Sequence, residues 1–432
     1  MTSPMKLSQM DYEPAFWHPD RRAKLTRILL ALTWLGPYFG CTNAEKEESR
    51  SASVVKGNHQ AAASSPVPDS QGVYHIRPGD SVQQILDAVA ADPARKRIVI
   101  HEGTYRPAFA AQAMVKFHAR HDGIVLEAEG VVTLTAENHD VAIPGEPGYP
   151  AVVNHVVYFG DGISDATKLR GVQIKGANGF ATNLELDGLI EPRSNQPALK
   201  KQLFFYLDGG AIKIFGDSCP VIEGCDISDN RTQLCGGGIS VEQRGRSKNP
   251  VRIINSIFRN NRCPATGSAI DLLEGSSAVI RNCLFVGNIS NSGMAQVQAQ
   301  YGLRYNEVHG CGALTVFPGS KADVSRCTFT QNWNGADDKG NSHYQNCIFW
   351  KNSASDGSLS GGTYELDAAE SVDVENCWLN GATDDLQGTI SAELNTLQAP
   401  DPLLDDRYEP RNEIYQDAGY RADYERDDSD SP

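Results

Sequence analysis

The stretch RNCLFVGN, residues 281–288, returns with small changes as EGCDISDN (223–230), INSIFRNN (254–261), SRCTFTQN (325–332), QNCIFWKN (345–352) and ENCWLNGA (375–382). Stacked, these segments put Cys225, Ser256, Cys283, Cys327, Cys347 and Cys377 at one position. An apolar residue stands three before it (Ile222, Ile253, Ile280, Val324, Tyr344, Val374) and another two after it (Ile227, Phe258, Phe285, Phe329, Phe349, Leu379). An Asn closes every copy but the last: Asn230, Asn261, Asn288, Asn332 and Asn352. Apolar alternation with period two predicts strand, because helical faces recur at three and four. A second strand is predicted in each unit: GGAIKIF (209–215), GGGISVEQ (236–243), GSAIDLLE (267–274), CGALTVF (311–317) and GGTYELD (361–367). Repeats of 31, 27, 44, 20 and 30 residues holding short strands and Asn or Gly turns predict a β-solenoid with one coil per repeat.

The opening YHIRPGDSVQQILDAVAADPARKRIVIHEGTYRP (74–107) predicts a helix capped by Asp80 or Ser81, with Val82, Ile85, Leu86 and Val89 on its apolar face. RIVIHEGTY then reads as the first strand. Such a helix would close the open end of a solenoid. With these residues, the repeat, and the exit DPLLDDRYEPRNEIYQDAG (401–419), the chain resembles the right-handed parallel β-helix proteins of the pectin-lyase-like superfamily over about residues 73 to 420. The expected fold is therefore all-β, a right-handed parallel β-helix with an N-terminal capping helix. Between opening and repeats, 122–137 and 167–183 read as coils, and 138–162 and 189–207 as insertions.

RRAKLTR (21–27), the apolar run ILLALTWLGPYF (28–39) and Gly40–Cys41 have the layout of a secretory signal and resemble a bacterial lipoprotein signal with Cys41 as the lipidated residue. Tyr38 and Phe39 depart from that pattern, which usually has Leu and a small residue there. On this reading 1–41 is an export signal, 42–72 a polar linker, 73–420 the β-helix and 421–432 an acidic disordered tail. The expected location is outside the cell, in the bacterial envelope or secreted, with membrane contact only through a lipid at Cys41. The net charge of −15 becomes −17 after cleavage before Cys41, which argues against a nucleic-acid partner.

Stacked residues of successive coils point the same way about 4.8 Å apart, a poor geometry for disulfides, which need Cβ atoms near ~3.8 Å. A straight column also offers a line where a zinc site needs four ligands around a point. The column cysteines are therefore expected to be small buried residues, and the Asn column a structural ladder. Cys219, Cys235, Cys263 and Cys311 lie off the column near turns, where a bridge between Cys235 and Cys263 is one option and free thiols the other.

In the resembled superfamily the active groove runs along the outside of the sheet that here includes GGAIKIF. With Ile212, Ile239, Ile270 and Leu314 inward, Lys213, Ser240, Asp271 and Thr315 face outward, and so do Phe215, Glu242, Leu273 and Phe317. Glu242 and Asp271, diagonal on adjacent coils, are candidate general acid and base for a glycosidic bond. Lys213 is a candidate lyase base. The surplus of the longest repeat, 289–310, supplies Tyr301, Arg304, Tyr305 and His309 for sugar stacking and carboxylate binding, and 243–250 adds Arg244, Arg246 and Lys248. The catalytic motifs of polygalacturonases and alginate epimerases are missing. No cofactor and no metal ligand set is expected, and calcium has no signal in the sequence. Two functions are weighed: binding, with or without cleavage by a lyase or hydrolase, of an extracellular polysaccharide or cell-surface glycan; or a non-catalytic surface or adhesion role.

Overall fold

The computed structural model describes residues 66–424 apart from 93, 95, 147, 180–202, 294–310, 354–362, 382–386 and 389. Within them the chain winds as a right-handed parallel β-helix. Each regular coil carries three strands where the sequence predicts two. Ile270–Leu272, Ser277–Arg281 and Leu284–Val286 make one coil, and each pairs in parallel with its counterpart in the next: Leu314–Val316, Lys321–Ser325 and Thr328–Thr330. The extra division arises inside RNCLFVGN. Asn282 takes a left-handed φ of 50°, which bends the chain between Arg281 and Cys283, so Ile280 and Cys283 can both point inward.

The register follows the sequence alignment residue by residue. Ile280 pairs with Val324, Phe285 with Phe329 and Ile270 with Leu314. Phe258, Phe285, Phe329 and Phe349 stack face to face with centroids 4.3 to 5.0 Å apart and planes within 6°. The Cys283 column is buried, and its thiols are free. Their Sγ atoms face backbone carbonyls: Cys283 lies 3.4 Å from Arg281 O and 3.5 Å from Ile253 O, and Ser256 Oγ donates to Ile254 O at 2.9 Å. Asn230, Asn261, Asn288 and Asn332 each donate through Nδ2 to Oδ1 of the next Asn at 2.8 to 3.1 Å. A third corner carries a serine ladder that the repeat alignment did not expose: Ser320 Oγ accepts from Ser276 N, and Ser342 Oγ from Ala322 N.

The helix Val82–Ala90 is capped by Ser81 and buries Val82, Ile85, Leu86 and Val89. The segment 138–162, read as an insertion, holds the strand Val153–Phe159, which pairs with Ala111–Phe117 on one side and Ile212–Phe215 on the other. Its run VNHVVYF is buried on both faces, so it lacks the alternation by which a half-exposed strand is recognised. Nine strands, from Ala111–Phe117 to Gln387–Gly388, form the sheet that carries the candidate residues. At the other end the closing stretch doubles back over the middle coils, where Arg421 N donates to Asn282 Oδ1 and Tyr420 N to Thr328 Oγ1.

Candidate functional site

On the outer side of the nine-stranded sheet, register places Tyr158, Lys213, Ser240, Asp271, Thr315, Asp337 and Asp367 in one column. The sequence reading expected this face to be an open groove. The structure corrects that expectation: Lys213, Glu242 and Asp271 are all buried, and so is Phe215. The short helix Leu203–Leu207, from a segment taken as an insertion, lies over the sheet. Phe205 meets Phe215 edge-on at 4.8 Å and Tyr158 at 5.6 Å. Ordinary solvated charges these residues are not.

Burial forces the charges to find partners. Lys213 Nζ donates to Phe204 O and Ser240 Oγ, each at 3.1 Å, and lies 3.0 Å from Glu242 Oε2. Glu242 Oε1 accepts from Arg244 at 3.1 Å, and the Arg244 guanidinium sits over the Phe204 ring. Arg244 thus links the buried face to the half-exposed turn that carries Arg246 and Lys248. Further along the column, Lys339 reaches Asp367 at 2.7 Å, and Tyr364 donates to Asp337.

A second column stands beside the first. Gly209 and Gly267 have left-handed φ of 79° and 61°, and a Cβ on either would meet the backbone of its own strand. This turn folds the residue just before the glycine against the residue four beyond it. Thr266 accordingly donates to Asp271 Oδ1 at 2.7 Å. At the equivalent positions of the two preceding coils stand Cys235 and Asp208, with Cys235 N donating to Asp208 Oδ1 at 2.9 Å. A carboxylate oxygen of Asp208, Sγ of Cys235 and a carboxylate oxygen of Asp271 lie within 4.8 Å of one another. Burial holds the Asp208 carboxyl well above the usual range, against the pull of Lys213, and raises Asp271 to about 7. Cys235 and Cys263, left open as a bridge, are both free thiols. The stacking explains why: Gly236 N donates to Thr266 O, so Cys235 aligns with Thr266, while Cys263 sits three residues earlier and donates its Sγ to Thr266 O.

Asp208 escaped the sequence reading because it precedes the repeat and follows a helix. Its signal was the series Asp-Gly-Gly, Cys-Gly-Gly and Thr-Gly-Ser before three successive inward Ile residues. Tyr301, Arg304, Tyr305 and His309, and Cys41, lie outside the described residues. Among the described residues a cleft of about 260 Å³ opens at the Asn corner, lined by Arg231, Thr232, Arg262, Cys263, Pro264 and Ser292. Arg231 and Arg262 are bridge partners on successive coils, so their side chains leave one rung apart.

A family described as right handed beta helix region matches this chain over residues 115–299 and 238–391. No curated protein and no solved structure matches it.

Proposed function

The chain belongs to the right-handed β-helix family, and from that premise we propose that it is an exported protein, held in the bacterial envelope or secreted, that binds an acidic polysaccharide. The observation that carries this reading is the Arg231–Arg262 cleft. Its volume of about 260 Å³ lies just below the usual range for whole small-molecule ligands, ~300 to 1,000 Å³, and so suits one unit of a longer chain. Two arginines from paired positions of successive coils line the cleft, the residue type that forks onto carboxylates and sulfates. Arg244, Tyr301, Arg304, Tyr305 and His309 are the further candidates for sugar contact. A lipid at Cys41 would supply the anchor. Binding is favoured over cleavage because Lys213, Glu242 and Asp271, the candidates for catalysis, are buried.

The test is a panel of neutral and acidic polysaccharides, read for binding, for new reducing ends and for unsaturated products. An acidic glycan should bind with a salt-dependent affinity that drops at least tenfold in Arg231→Ala/Arg262→Ala, without product formation. Failure of every acidic glycan to bind, or wild-type binding by the double variant, would overturn the reading.

A further inference from the structure

Asp208, Cys235 and Asp271 are brought together by stacking alone, and nothing in the binding proposal uses them. All three are buried. Each comes from a different coil, and their donor atoms fall within 4.8 Å of one another. One oxygen of each carboxylate is already held: Asp208 Oδ1 by Cys235 N at 2.9 Å, and Asp271 Oδ1 by Thr266 Oγ1 at 2.7 Å. The other oxygen of each, Asp208 Oδ2 and Asp271 Oδ2, is fully buried with no hydrogen-bond partner. Burying a carboxylate oxygen without a partner is costly, so two beside a thiol call for a common partner.

We propose that these three side chains hold a divalent transition-metal ion of the zinc class, which ties three successive coils together. The donor set decides the class of ion. A thiolate with two carboxylates suits zinc or cobalt, whereas calcium and magnesium take oxygen ligands only. The hydrogen bonds to the Oδ1 atoms are the outer partners that orient metal-binding carboxylates. Charge fits as well. Three anionic ligands and the Glu242 carboxylate face the Lys213 ammonium and the Arg244 guanidinium, and one divalent ion brings the group to neutrality. The column thiols differ in this respect, because their Sγ atoms meet carbonyls and no carboxylate. No linear motif announces the site, since its ligands stand 27 and 36 residues apart and meet only because coils stack.

The full chain, stripped with chelator and titrated with cobalt(II), should bind one equivalent and show the near-ultraviolet thiolate-to-cobalt band. Cys235→Ser should remove the thiolate band, Asp208→Asn and Asp271→Asn should each weaken binding at least tenfold, and Cys283→Ser should change nothing. Zinc should raise the Tm of the wild type and leave that of Cys235→Ser unmoved. If a carboxylate variant fails to fold, the near-isosteric Cys235→Ser decides. A folded wild type without the thiolate band, or a band that survives in Cys235→Ser, overturns the proposal.

Discussion

Two stacks of side chains run through the same coils and follow opposite rules. Inside the Cys283 corner, Phe sits on Phe, Asn on Asn and Cys on Cys or Ser; the Asn amides from Asn230 to Asn332 each bond the next in the row, and the thiols face backbone carbonyls. Outside the nine-stranded sheet the column reads Tyr, Lys, Ser, Asp, Thr, Asp, Asp, with no residue type running through it. Both stacks are buried, so burial does not separate them. Repetition does: a column in which any coil could replace its neighbour serves the stack, and one in which each coil differs is arranged around particular charges.

The contrast breaks most sharply at Phe285. Phe285→Ala opens a gap between two stacked rings and should cost about 3 to 5 kcal/mol, read by chemical denaturation. A loss below about 1 kcal/mol would mean the ring stack collapses freely and adds little. On the outer column, Lys213→Met should cost up to ~3 kcal/mol because it leaves Glu242 Oε2 buried with Arg244 alone to offset the charge, whereas Lys213→Met/Glu242→Leu should recover most of that loss. A double variant no better than the single would show that the ion pair is not the unit that matters.

Near neutral pH a smaller effect, growing on acidification, is expected at His155, fully buried, with Nδ1 against Gly209 O at 2.7 Å and Nε2 against Gln112 at 2.8 Å. Burial, helped by Lys213 and Lys116, lowers its pKa from 6.5 to about 3. The unfolded chain therefore takes up a proton below pH 6.5 that the folded chain refuses until about pH 3. Stability should fall as pH drops through that window, by up to about 1.4 kcal/mol per unit. His155→Gln should flatten the slope between those limits in denaturation series at several pH values, and an unchanged slope would assign the acid sensitivity elsewhere. The smallest effect belongs to Cys283→Ser, which copies Ser256 and should cost under about 1.5 kcal/mol and leave any glycan binding intact. Cys283→Phe should instead overfill the corner by about 1 to 3 kcal/mol.

What could be read in advance divides along the same line. The Cys, Phe and Asn positions and the inward register of Ile212, Ile239, Ile270 and Leu314 were legible because each coil repeats them. The third strand per coil was not. Asn282 bends the chain while keeping Ile280 and Cys283 on the same side, so the interruption leaves no trace in the apolar pattern. Nor was the burial of Lys213 and Glu242, because the helix Leu203–Leu207, which touches Lys213 and Arg244, belongs to no repeat. Asp208 and Asp271 look unrelated in sequence, and only a rung-by-rung alignment of the turns before the strands sets them side by side.

The Asn ladder has a direction. Each side-chain amide accepts from the coil before and donates to the coil after, and the last donor, Asn352, gives its proton to Glu365 Oε2 at 2.5 Å. The aligned amides form a stack of dipoles whose positive end rests on an acid, the arrangement that places carboxylates at helix N-termini. A coil duplicated or deleted in the interior must therefore bring or remove a side chain that, like Asn, both accepts and donates. Glu365 belongs only at the terminus of the row, where it fixes how far lengthening by whole coils can proceed before a new stop must be supplied.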